Sequence, residues 1–174
     1  EISHVATGDF NGDGKADVIT AGTYPPDATS HFFYIFLSNA ADSLNATPVI
    51  VPYYSPSTGR HVSAMEVTDM NNDNLSDVIT GLGDSIYIYY QTSLHGLRLS
   101  PIRHYAGQQV NAIRVADIDS DGYKDIVVSL SQETYLAVFY GTGTTDSFVQ
   151  VQYAAPQFSG SDLKIAPTGH RTRA

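Results

Sequence analysis

DFNGDGKAD at 9–17, DMNNDNLSD at 69–77 and DIDSDGYKD at 117–125 are three copies of one nine-residue loop. Each copy places an oxygen-bearing side chain at its first, third, fifth and ninth positions. These are Asp9, Asn11, Asp13 and Asp17; Asp69, Asn71, Asp73 and Asp77; and Asp117, Asp119, Asp121 and Asp125. A hard cation such as calcium takes about six to eight oxygens from carboxylates, amides, a backbone carbonyl and water. Alternate residues of a tight loop can all turn inward to supply them. The seventh position, Lys15, Leu75 or Tyr123, is expected to contribute its carbonyl, so its side chain varies. The sixth is Gly14, Asn74 or Gly122, types that tolerate the left-handed backbone of a sharp turn. Asp, Asn and Gly also build ordinary turns. Three copies at one spacing favour the cation, and predict about three calcium ions.

The residues after each loop decide the fold. An EF-hand carries Glu at loop position twelve and runs on into a helix. Here that position is Thr20, Thr80 or Val128, and the following segments are DVITAG, DVITGL and DIVVSL. Such β-branched, apolar runs are strands. The preceding segments VATGD, MEVTD and IRVAD are also strand-like, so each loop joins a β-hairpin. The first Asp falls at 9, 69 and 117, and repeats of this length made of short strands point to propeller blades. Four strands are expected in each repeat. They lie at 3–8, 17–22, 32–38 and 46–53; at 63–68, 77–82, 85–91 and 97–104; and at 111–116, 125–130, 134–140 and 147–153. The fold class is therefore all-β. Blades are expected at about 1–60, 61–108 and 109–158, and a partial fourth at about 159–174. In that last piece SDLKIA begins a repeat, but Pro167 stands where the first ligand is expected. The first repeat is longer because of the connection 23–31, where Pro25 and Pro26 exclude a regular strand.

Composition narrows the function classes. The 174 residues suffice for one domain with a core. Ten of the 18 acidic residues lie in the three loops, so the net charge of −9 is local. Only 9 Lys and Arg are present, with no basic stripe, which argues against nucleic acid. There is no Cys for disulfides or thiolate sites, and no apolar run long enough for a membrane span. The first residue is Glu1, which reads as a mature or excised end. Weak structural calcium loops suit a secreted or surface location, periplasmic if the source is bacterial. Two sequons, at Asn45 and Asn74, matter only in a eukaryotic secretory route, and the second lies inside a metal loop.

An apolar strand, then DxNxDGxxD or DxDxDGxxD, then two apolar residues resembles the FG-GAP/VCBS repeat. YGTGTTDSF at 140–148 is similar to that family's glycine-rich hairpin. The middle copy departs at Asn74, and its hairpin QTSLHG is less typical. The resemblance implies a calcium-binding β-propeller of the integrin-α type, completed by further blades of the same chain or by a homo-oligomer. It also implies that the ligand face lies opposite the calcium hairpins. Tyr24, Tyr54, Arg60, His61, Tyr105 and Phe158 fall in the connections expected there. Aromatics beside a guanidinium and amides fit a carbohydrate or protein ligand. Tyr87, Tyr89 and Tyr140 lie inside strands and are expected to pack.

No HExxH, GxSxG, P-loop or strand-following GxGxxG occurs, and the six His residues are scattered. The acids that might serve glycoside chemistry belong to the metal loops. The expected function is a calcium-stabilised adhesion or lectin-like binding module. The alternative is an accessory propeller of a larger secreted enzyme of lyase or hydrolase type.

Overall fold

The computed structural model describes residues 2–24, 27–39, 43–53, 61–131, 135–144 and 146–154, excluding the side chains of 23–30, 135 and 154. The described residues contain strands and turns only. The strands are β1 (Ile2–Gly8), β2 (Asp17–Tyr24), β3 (Asp27–Phe36), β4 (Val49–Pro52), β5 (Ala64–Thr68), β6 (Asp77–Leu82), β7 (Ser85–Tyr89), β8 (Ile102–Tyr105), β9 (Val110–Ala116), β10 (Asp125–Leu130), β11 (Tyr135–Gly141) and β12 (Phe148–Ala154). They form three antiparallel four-stranded sheets in plain up-and-down order, β1 to β4, β5 to β8 and β9 to β12. This is the arrangement of propeller blades.

The middle sheet explains why β6 reads as a continuous apolar run. All six of its residues are buried. Alternate side chains point to opposite faces of a strand. Val78 and Leu82, with Tyr87 and Tyr89 of β7, pack against Ile19, Ala21, Phe33 and Ile35 of the first sheet. Ile79, with Ile86 and Ile88, packs against Ile126, Val128 and Phe139 of the third. Each such side chain contributes about 1.5–3 kcal/mol by leaving water. The first sheet buries only one face in this way. On its other face, Val5 is 67% exposed and Ile50 about half exposed. They stand in one cross-strand row with Thr20 and Tyr34.

Two expectations shift. Regular pairing in the fourth strands starts at Val49 and Ile102, later than the expected 46 and 97. Before them the chain makes short hairpin excursions, closed by the bridges Ser38↔Leu44 and Gln91↔Leu97. Pro48 and Pro101 lack the N–H that an earlier ladder would use. The connection at 23–31 is shorter than expected, because β2 continues to Tyr24 and β3 starts at Asp27. A register break between Thr23 and Tyr24 absorbs the extra residues. Pro25 and Pro26, Tyr54, Arg60, Phe158 and the segment 159–174 lie outside the described residues.

Candidate metal centre

The three acidic loops connect β1 to β2, β5 to β6 and β9 to β10, each leaving a paired strand end and re-entering at its ninth Asp. The first Asp winds each loop around its own carboxylate. Asp9 Oδ1 accepts the Gly12 N–H at 2.6 Å and Oδ2 accepts that of Gly14 at 2.9 Å. Asp69 Oδ2 accepts from Asn74 at 2.7 Å, and Asp117 Oδ2 from Gly122 at 3.0 Å. The fifth Asp accepts the N–H of the seventh residue: Asp13 from Lys15, Asp73 from Leu75 and Asp121 from Tyr123. Asn11 and Asn71, at the third position, donate their amides to Asp13 and Asp73.

The sixth residues Gly14, Asn74 and Gly122 all have positive φ, at 79°, 67° and 90°. A Cβ at Gly14 or Gly122 would meet nothing, so conformation selects glycine there. Asn74 takes the same conformation with a side chain, so the middle loop keeps its shape. Gly12, Asn72 and Ser120 at the fourth position are also left-handed, which the sequence pattern did not reveal.

The ninth Asp is the buried member. Asp17, Asp77 and Asp125 are fully inaccessible to solvent. One oxygen of each accepts the N–H of the second loop residue, Phe10, Met70 or Ile118, at 2.7–2.8 Å. The other accepts an N–H from the start of the next hairpin, Ser38, Gln91 or Gly141, at 2.7–2.9 Å. The carboxylate therefore staples its loop to the sheet. Burial pushes Asp77 up to about 6, against the two N–H bonds, and the nearby Asp73 and Asp69 charges push the same way. Burial likewise raises Asp125, with Asp119 and Asp121 adding to it. Asp9 is held below its ordinary value: slight burial raises it, but four backbone N–H groups outweigh that.

Asp117, Asp119 and Asp125 each offer an oxygen within 4.8 Å of the others. A carboxylate pushed up by burial, and further by neighbouring acids, is relieved by a cation, so these residues fit one.

At the opposite ends of the strands, His61, Ser63, Asp84, Gln108 and Gln109 line a cleft of about 670 Å³. Of the six ligand-face residues expected from the sequence, His61 borders this cleft. Its ring lies 5.5 Å from that of the buried His31. Tyr105 is 59% exposed and donates its hydroxyl to the Gly107 carbonyl. The side chain of Tyr24 is outside the described residues. Tyr87 and Tyr89 are buried and Tyr140 is partly so, as strand residues should be.

FG-GAP-like repeats match at residues 9–80 and 69–128, together well over half of the chain. The chain belongs to the FG-GAP-like repeat family. Proteins built from such repeats are typically extracellular or on the cell surface, in β-propeller-type modules. No curated protein matches the chain. Within the FG-GAP repeats, sequence reasoning missed Ser76, Gln91 and His95. Ser76 Oγ accepts the Asp9 N–H at 3.1 Å, and Gln91 Nε2 donates to the Phe10 carbonyl at 3.1 Å. A Cβ at Gly12 would overlap the His95 ring. All three belong to the second repeat and support the loop of the first. The one available signal was that Gln91 holds an amide where the other repeats hold Ser38 and Gly141.

Proposed function

We propose that this chain is a calcium-stabilised, non-catalytic binding module of a secreted or surface protein. It recognises carbohydrate or protein through the cleft opposite its acidic loops. The observation that carries the calcium reading is the convergence of Asp117 and Asp119 on the buried Asp125. In the first loop Asp9, Asn11, Asp13 and Asp17 would hold an ion, with the Lys15 carbonyl. In the second the set is Asp69, Asn71, Asp73, Asp77 and the Leu75 carbonyl. In the third it is Asp117, Asp119, Asp121, Asp125 and the Tyr123 carbonyl. Calcium would supply the positive charge that lets these carboxylates stay ionised and close together. The chain contributes a prewound loop and a ninth carboxylate already stapled to the sheet.

For the ligand, the cleft offers the Asp84 carboxylate, the Gln108 and Gln109 amides, the Ser63 hydroxyl and the His61 ring. Mixed donors and acceptors of this kind suit sugar hydroxyls or peptide amides. Val5 and Ile50, exposed at the two ends of their cross-strand row, mark a face on which a further blade would pack.

Thermal melts with calcium and with chelator, on the wild type and on Asp121→Ala, test the calcium reading. The expected result is a calcium-dependent rise in Tm that is smaller in the variant. No shift with calcium overturns it. Glycan-array and protein-ligand binding of Asp84→Ala with Gln109→Ala tests the cleft, and undiminished binding would move the ligand site elsewhere.

A further inference from the structure

The first two loops are wired together by two side chains, Gln91 and Ser76, whose counterparts at the third loop are Gly141 and Lys124. Asp17 Oδ2 accepts the N–H of Phe10 at 2.8 Å. The carbonyl of Phe10 accepts Gln91 Nε2 at 3.1 Å. The N–H of Gln91 donates to Asp77 Oδ1 at 2.8 Å. One peptide and one glutamine thus join the ninth carboxylates of two loops in a buried relay. A second path runs beside it. Gln91 Oε1 accepts the N–H of Ser76 at 2.8 Å, and Ser76 Oγ accepts the N–H of Asp9, the first ligand position of the other loop. Between the second and third loops the corresponding residue is Gly141. Its N–H serves Asp125, but it has no side chain to reach the carbonyl of Met70. The residue before the ninth Asp is Lys124, whose ammonium cannot accept an N–H.

We propose that ions bind the first and second loops as a coupled pair, and the third loop independently. This rests on the calcium reading above. Whatever fixes Asp77 fixes Gln91, and through it the peptide of Phe10 and the carboxylate of Asp17. The second ion then enters a loop whose ordering is already done, which is positive coupling between sites. Gln91 and Ser76 are positioning residues here; they touch the neighbouring loop and not the ion.

Isothermal titration with calcium chloride tests this on the wild type and four variants. Asp69→Asn, which disables the second loop, is expected to weaken the first loop by at least about fivefold. Asp117→Asn is expected to remove one ion and leave the other two affinities unchanged. Gln91→Leu should keep the wild-type ion count and make the first two loops independent. Ser76→Ala, which leaves the relay intact and removes one half-exposed hydrogen bond, should reduce the coupling part of the way. It serves if Gln91→Leu does not fold. If Asp69→Asn and Asp117→Asn each delete one ion and leave the remaining sites at wild-type affinity, the coupling is overturned and the calcium reading stands. If no protein takes up calcium, both fall together.

Discussion

Between the first and second sheets, Gln91 and His95 reach across to the neighbouring loop; between the second and third, Gly141 and Asp146 hold the equivalent hairpin positions. Equivalence follows from the pairing, Gln91 with Leu97 and Gly141 with Phe148. His95 and Asp146 even share a left-handed backbone, at φ 58° and 69°. The backbone plan is the same, and the side chains give two different joints. At the first joint the His95 ring covers Gly12, and a Cβ at Gly8 would strike Val67 and Ser76. At the second, a small cavity of about 90 Å³ opens among Met70, Asn72, Tyr90, Tyr123 and Phe148. Burial, and then a hydrogen bond to Asp146, hold the Tyr90 hydroxyl well above its ordinary value. The third loop is braced inside its own repeat, where the Tyr123 ring lies over Gly143. A shared loop motif therefore fixes local shape, and lateral support is chosen residue by residue.

The largest expected effect comes from the ninth carboxylates. Asp77→Ala leaves the buried N–H groups of Met70 and Gln91 unpaired, at a cost of about 2–4 kcal/mol in chelator. Asp125→Ala is expected to cost less, since no second loop hangs on it. Urea unfolding of the two variants compares them, and equal losses would erase the distinction between the joints. Gln91→Ala should cost about 2 kcal/mol by stranding the N–H of Ser76 and the carbonyl of Phe10. Gly12→Ser should cost about 1–2 kcal/mol, because the new side chain meets His95. Adding His95→Ala should recover the part of that loss due to the overlap and leave the strain of the left-handed backbone at φ 75°, and a double-mutant cycle with no coupling would show that the ring is not the obstacle. Ser120 already carries a side chain at the matching place. Smallest is Arg114→Ala, which removes the 3.1 Å ion pair with Glu66 between the second and third sheets. Both side chains are partly exposed, so the loss should stay under about 1 kcal/mol and shrink with salt. A salt-insensitive loss would mean that Arg114 acts through packing.

Much of this was legible beforehand. Alternation in SIYIYY and the apolar run DVITGL place β7 and β6 to within two residues, because burial dictates residue type in strands. The starts of β4 and β8 were not, since the excursions before them use the same residue types as strands. The loop pattern gave the oxygen-bearing positions, but not the division of labour within them. Nothing in the letters distinguishes the buried, stapling Asp17 from the exposed Asp13. That difference lies in which backbone N–H groups come near. The link from Gln91 to Phe10 spans 81 positions, and no local pattern encodes it.

The middle sheet has one more consequence. Because Ile19, Ala21, Phe33 and Ile35 are covered by residues of β6 and β7, the first repeat cannot close its core while it is alone. On a ribosome its apolar face stays open until the chain through Tyr89 has emerged. The same then holds for the second repeat and β10. The first and second repeats thus each wait for a neighbour to cover them, and during synthesis that interval is when an apolar strand face meets the cell.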